Sequence, residues 1–366
     1  MGNSFHSLFL CFFIFFFSFG FSSSEAQKKA PAVYVFGDSL FDVGNNNYLS
    51  LSLAKAILPY YGIDFPTKKP TGRFSNGKNA ADLIAEKVGL PISPAYLSLV
   101  LKANHHKNVS YLEGVNFASG GAGIFDGTDD TSKQSIPLTK QVDFYSKVHE
   151  QLTQQIGAST LQKRLSKSIF LVVIGSNDIF GYFGSNVTQN KSTPQQFADS
   201  MASSLKVHLQ RLYNNGARKF EIVGVAALGC CPAYRAKNKK TECFSEANLL
   251  AAKYDEVLQS MLKEWQSEKK DLSYSYFDTY AALQDLIQSP SSYGFANVKG
   301  ACCGLGELNA QIPCLPISNI CSNRKDHVFW DAVHPSEAAI RIVVDRLFSG
   351  HPKYTSPINM EQLLAI

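Results

Sequence analysis

The chain has 366 residues, 45% of them hydrophobic, and a formal charge of +5 at neutral pH. That is enough apolar material for one large α/β domain or two modest ones. The positive residues are scattered apart from short clusters such as Lys237 to Lys240, which excludes a nucleic-acid footprint and leaves weak attraction to acidic polysaccharide as the alternative to plain solvated surface.

In chain order, the first feature is a nearly unbroken apolar run from Leu8 to Phe21 that ends in serines. It is shorter than the roughly 20 residues a bilayer-spanning helix needs and predicts a secretory signal peptide, residues 1–26, cleaved after Ala26. No Lys or Arg precedes the run. The remaining chain, 27–366, contains no low-complexity linker and no fixed-period repeat, and it predicts a single domain.

Five short apolar stretches bounded by turn residues predict buried parallel strands: Ala32 to Phe36, Gly114 to Ala118, Ile169 to Ile174, Lys219 to Val225 and Leu272 to Phe277. Their apolarity is continuous, not alternating, so both faces of the sheet should be covered. Between them, helices are expected from Asn79 to Val88, from Thr193-Pro194 to Asn214-Asn215-Gly216, and from Ser245 through Trp265. A last helix begins at Pro335-Ser336-Glu337 and carries Ile340, Ile342, Val343 and Leu347. Their three-and-four spacing marks core-facing stripes. Strands alternating with helices predict an α/β fold, an open and mostly parallel five-stranded sheet between helical layers, whose working edge is the carboxyl end of the strands.

Seven of the eight cysteines fall between Cys230 and Cys321. In an oxidising compartment most would pair, and local bridges are expected within the group Cys230, Cys231, Cys243 and within the group Cys302, Cys303, Cys314, Cys321, with one thiol left over. Zinc is the competing reading, but paired C-x-x-C units are absent. Acceptor sequons stand at Asn108, Asn186 and Asn190.

Three predicted strands end in polar turns: Gly37-Asp38-Ser39, Ser119-Gly120-Gly121 and Gly175-Ser176-Asn177-Asp178. Just before the last helix stands Trp330-Asp331-Ala332-Val333-His334-Pro335, where the D-x-x-H spacing lets a turn bring Asp331 onto one imidazole nitrogen of His334. A serine hydroxyl needs a base to attack at neutral pH. His334 can take the proton and return it to a leaving alcohol, and Asp331 can hold the tautomer. Donors for an oxyanion are available in the N–H of Ser39, an N–H of Gly120-Gly121 and the side-chain amide of Asn177. Each element alone has an ordinary reading: Ser39 as a helix cap, the glycines as a turn, Asn177 as a loop residue bonding its own backbone, and D-x-x-H as part of a metal site. His327 is a rival base, but its neighbour Asp326 should point elsewhere. The joint placement at strand ends favours a serine hydrolase.

The motifs FGDSLFDVGNNN at Phe36 to Asn47, GRFSNG at Gly72 to Gly77, NFASGGAGI at Asn116 to Ile124, IGSND at Ile174 to Asp178, ACCGLG at Ala301 to Gly306 and FWDAVHPSE at Phe329 to Glu337 together resemble the plant GDSL esterase/lipases of the SGNH hydrolase superfamily. The resemblance implies a flavodoxin-like three-layer α/β/α sandwich and ester hydrolysis through an acyl-enzyme on Ser39. It also implies secretion with glycosylation, and no metal or organic cofactor. It places the superfamily's four signature residues on Ser39, Gly121 (with Gly120 as the alternative), Asn177 and His334. The sharp G-x-S-x-G elbow is absent around Ser39, which implies a looser turn and a more open site. The chain departs from the family in the extra vicinal cysteine of Gly229-Cys230-Cys231-Pro232.

These readings converge on a secreted, extracellular hydrolase of lipid or other acyl esters whose partner is a small-molecule ester, with no nucleic acid and no stable membrane insertion. Two alternatives use the same scaffold: an acyltransferase that resolves the acyl-enzyme with an alcohol, and a non-catalytic extracellular binding protein.

Overall fold

The structure, a computed structural model, describes residues 28–105, 108–128 and 134–366; the predicted signal peptide lies outside them. Four buried five-residue strands, β1 (Val33–Gly37), β2 (Ile169–Val173), β3 (Lys219–Val223) and β4 (Ser273–Phe277), pair in parallel in chain order. Beyond them β5 (Asn297–Ala301) pairs with β8 (His327–Phe329), and β6 (Cys303–Gly304) with β7 (Asn319–Ile320). The two-residue β9 (Thr355–Ser356) joins the main sheet antiparallel to β4.

The helices are α1 (Ala80–Val88), α2 (Tyr96–Asn104), α3 (Leu138–Ile156), α4 (Ala158–Leu165), α5 (Ser176–Gly184), α6 (Asn186–Lys191), α7 (Pro194–Asn214), α8 (Pro232–Arg235), α9 (Ser245–Glu268), α10 (Thr279–Gln288), α11 (Glu337–Ser349) and α12 (Met360–Ala365). Capping sets the starts of three of the four predicted ones, and α9 begins without a side-chain cap. Asn79 and Thr193 form capping boxes on α1 and α7, and Ser336 caps α11. The sheet separates two apolar layers. Tyr34, Phe36, Phe170, Val172, Phe220 and Ile222 pack against α3, α7 and α9 on one face, while Val33, Val35, Leu171, Val173 and Val223 pack against α1, α11 and α12 on the other. This is the expected three-layer α/β/α sandwich.

One strand assignment needs correction. Gly114 to Ala118 runs parallel to β1 and bonds to it through Val35 N–H to Val115 O and Phe117 N–H to Val35 O, yet it contributes only an isolated bridge, Val35 to Asn116. The cause is a kink at Gly114, whose φ is +117° and whose backbone lies so close to Val33 that a Cβ would stand 2.0 Å from the Val33 carbonyl oxygen. The fifth strand of the sheet is β9.

Cys230–Cys243, Cys302–Cys321 and Cys303–Cys314 are bridged, each within its predicted group, and buried Cys231 is the thiol left over. Asn108 is exposed; the side chains of Asn186 and Asn190, in α6, lie outside the described residues. Among the described residues no helix is long and apolar enough to cross a membrane.

Candidate active site

Ser39 follows directly from the end of β1. Gly37 must be glycine there, because a Cβ would stand 2.2 Å from the Val173 carbonyl oxygen of the neighbouring strand. Its N–H donates to Gln141 Oε1 at 2.8 Å and its carbonyl accepts from Gln141 Nε2 at 2.8 Å, so a buried amide on α3 braces the turn. Asp38 Oδ1 accepts the Leu40 N–H at 3.0 Å. Burial pushes the Asp38 carboxyl up to about 7, against the opposing effect of that N–H and of His334.

The residues from Trp330 to His334 form a tight loop between β8 and α11, closed by Trp330 N–H to His334 O and Ser336 N–H to Val328 O. The loop folds Asp331 onto its own histidine. His334 Nδ1 lies 2.8 and 2.9 Å from the two Asp331 oxygens, and His334 Nε2 lies 2.7 Å from Ser39 Oγ. Asp331 Oδ1 also accepts the N–H groups of Val333 and His334 at 3.0 and 2.9 Å. Burial pushes the Asp331 carboxyl up, but the charge and hydrogen bond of His334 and the two backbone donors outweigh it, holding the group below the usual carboxylate range.

A residue that sequence reasoning passed over completes this arrangement. Tyr61 donates its hydroxyl to Asp331 Oδ2 at 2.8 Å from the long loop before α1. Tyr61 is 8% exposed and Asp331 5%. Burial first, and then Asp331, push the phenol well above its ordinary value, so it stays a donor. From the same loop, the Phe74 ring lies 4.9 Å from the His334 ring.

The asparagine-rich stretch after Ser39 ties this turn to the glycine turn. Asn45 Nδ2 donates to Asn116 O and Ala118 O at 2.9 and 2.8 Å, and Asn46 Nδ2 to Gly120 O at 2.7 Å. Asp42 accepts the N–H groups of Gly44 and Asn45 at 2.7 Å each and of Gly120 at 3.1 Å. The Gly120 amide is therefore engaged, whereas the Gly121 N–H has no acceptor among the described residues. Gly121 lines the cavity at Ser39 and has φ +84°, a conformation suited to glycine. Asn177, at the start of α5, spends one amide proton on Ala122 O at 2.8 Å, which leaves the second for the cavity it lines. The next residue, Asp178, accepts from Ile124 N–H, Phe125 N–H and Thr128 Oγ1 at 2.8, 3.1 and 2.7 Å, clamping the loop that follows Gly121.

Ser39, Gly121, Asn177 and His334 thus line one cavity of about 320 Å³, with Asp331 behind the imidazole. His327 does not join them. Contrary to expectation its neighbour Asp326 turns toward it, 2.6 Å from Nδ1, but the pair lies outside that cavity.

A GDSL esterase/lipase of Arabidopsis thaliana is 50% identical over 99% of this chain and 98% of its own. A second from the same plant is 36% identical over 92% and 93%. Among solved structures, a mutant of an acetylxylan esterase from Geobacillus stearothermophilus covers 86% of this chain and 91% of its own, at 12% identity and a TM-score of 0.37. Residues 33–347 match the model of the GDSL-like lipases/acylhydrolases, so the chain belongs to that family and is a carboxylic ester hydrolase.

Proposed function

We propose that the protein is a secreted single-domain enzyme, residues 27–366 once the signal peptide is removed, that hydrolyses lipid or other acyl esters through an acyl-enzyme on Ser39. The observation that carries the mechanism is the continuous chain from Ser39 Oγ to His334 Nε2 at 2.7 Å and from His334 Nδ1 to Asp331 at 2.8 Å. Ser39 Oγ attacks the ester carbonyl while His334 Nε2 takes its proton, and Asp331 holds the ring and stabilises the imidazolium. The N–H groups of Ser39 and Gly121 and the free amide proton of Asn177 receive the oxyanion. Collapse of the intermediate breaks the C–O bond to the alcohol, which leaves with the proton from His334. A water molecule then repeats the sequence on the acyl-enzyme, and the acid departs. Three disulfides and the exposed sequon at Asn108 support secretion.

The test is covalent labelling of the purified protein with a fluorophosphonate probe, combined with an aryl-ester assay. Labelling and turnover should both vanish in Ser39→Ala, and turnover should vanish in His334→Ala. Labelling that persists in Ser39→Ala would overturn the assignment.

A further inference from the structure

The cavity at Ser39 extends well beyond the reacting atoms. Its inner wall is almost wholly apolar and comes from facing sides of α10 and α11, closed by Val223 and Leu228. Arg346 Nη1 donates to Ala282 O at 2.9 Å, and Leu286 packs in one cluster with Ala339. The two helices therefore run antiparallel, with Ala339 and Leu286 toward His334 and with Leu347 and Thr279 at the far end. The lining row on α11 runs from Ala339 through Val343 to Leu347, a rise of about 12 Å at 1.5 Å per residue. An extended chain advances about 1.2 Å per bond, taking a peptide residue's three bonds as roughly 3.6 Å, so the row matches about ten bonds. The volume of the whole cavity agrees: at roughly 30 Å³ per water-sized group, about 320 Å³ holds about ten methylene-sized groups, the reacting carbonyl at Ser39 included.

A second, more polar cleft of about 550 Å³ meets the first at Gly121, Asn177, Phe180 and Val333 and adds Asp126 and Lys237 to its wall. Deacylation requires water beside the acyl carbonyl, which an apolar chamber filled by a chain cannot deliver and a polar cleft can. We infer that the chamber between α10 and α11 is the acyl-chain site, that the alcohol leaves and water enters by the polar cleft, and that the preferred substrates are esters of unbranched aliphatic acids of about eight to ten carbons. This inference rests on the proposed acyl-enzyme reaction.

The test is kcat/KM of the full mature protein on p-nitrophenyl esters from acetate to palmitate, with Val343→Phe and Leu283→Phe as obstructing variants and Leu347→Ala as a deepening one. In the wild type, kcat/KM should rise by roughly fourfold per added methylene, peak near the decanoate, and fall at least about tenfold by the palmitate. Either obstructing variant should lower the decanoate-to-acetate ratio by about tenfold or more, while Leu347→Ala should move the optimum two or three carbons longer. Fluorophosphonate labelling of every variant separates the two readings. Protein that labels at Ser39 but shows a flat chain-length profile, or a profile the folded variants leave unmoved, overturns the acyl site alone. Wild-type protein that does not label overturns the reaction beneath it.

Discussion

Replacing Tyr61 by Phe removes one hydroxyl and tests whether the phenol tunes Asp331 or merely packs beside it. Asp331 receives donors from the Tyr61 hydroxyl, two backbone N–H groups and the imidazole. A hydrogen bond to a charged group is worth about 1.5–3 kcal/mol. When the phenol is lost, the three remaining donors share the carboxylate's charge, and about a third of that energy, roughly 0.5–1 kcal/mol, falls to the ring. The carboxylate then stabilises the imidazolium that forms as Ser39 attacks by that much more, and kcat/KM should rise by about two- to fivefold. The assay is kcat/KM on a soluble aryl ester, with urea denaturation in parallel. A purely structural phenol would lower stability by about 1 kcal/mol and leave kcat/KM of the folded variant unchanged. A folded Tyr61→Phe variant whose kcat/KM is unchanged or lower would therefore refute the tuning role.

Asn177→Ala should lower kcat by about 100- to 1,000-fold with little change in KM, since one oxyanion donor is lost; steady-state kinetics on aryl esters would show it, and a loss confined to KM would count against that role. Cys231, 2% exposed and with its thiol pushed up to about 11 by burial, should not react with a thiol-specific disulfide reagent in the native protein and should react once in denaturant; rapid native labelling would contradict its burial. Asp38 gives a pH dependence of stability. Its carboxyl, raised by burial to about 7, keeps its proton in the folded state where the unfolded chain has lost it, above about 4. Folding therefore takes up a proton between those values, and stability falls as pH rises through the window, by at most about 4 kcal/mol from this group. Asp38→Asn should remove that share and flatten the decline in urea midpoint between pH 4.5 and 7.5, with the remainder due to the other carboxyls that burial raises, Asp42 to about 6 as well as Asp178, Glu221, Asp255 and Asp278; an unchanged slope would show that Asp38 is already ionised in the fold.

What was legible in the sequence follows from how local each signal is. The strand-end turns at Ser39, Gly121 and Asn177 could be read because a parallel sheet sends the carboxyl ends of its strands to one edge, and Asp331 with His334 because a single loop joins them. The asparagines at positions 45–47 could be read as stabilising a loop, but Asn45 and Asn46 could not be read as the staples that tie it to the glycine turn and so present Gly121, since those acceptors lie more than 70 residues away. Tyr61 left no signal at all. It sits 270 residues before its partner in a segment whose irregular backbone follows no periodicity, and a tyrosine there looks like any other apolar residue of a loop. The chamber was hidden for a different reason. Ile340, Val343 and Leu347 read as a helix stripe facing a core, and they do face the interior, but a side chain against a void and one against a packed neighbour require the same residue types. Binary patterning records which face of a helix avoids water and not whether another side chain fills the space opposite. If the chamber is the acyl site proposed above, chain-length specificity follows from the spacing between α10 and α11, and a single substitution on either facing row should change it while every motif around Ser39 and His334 is kept.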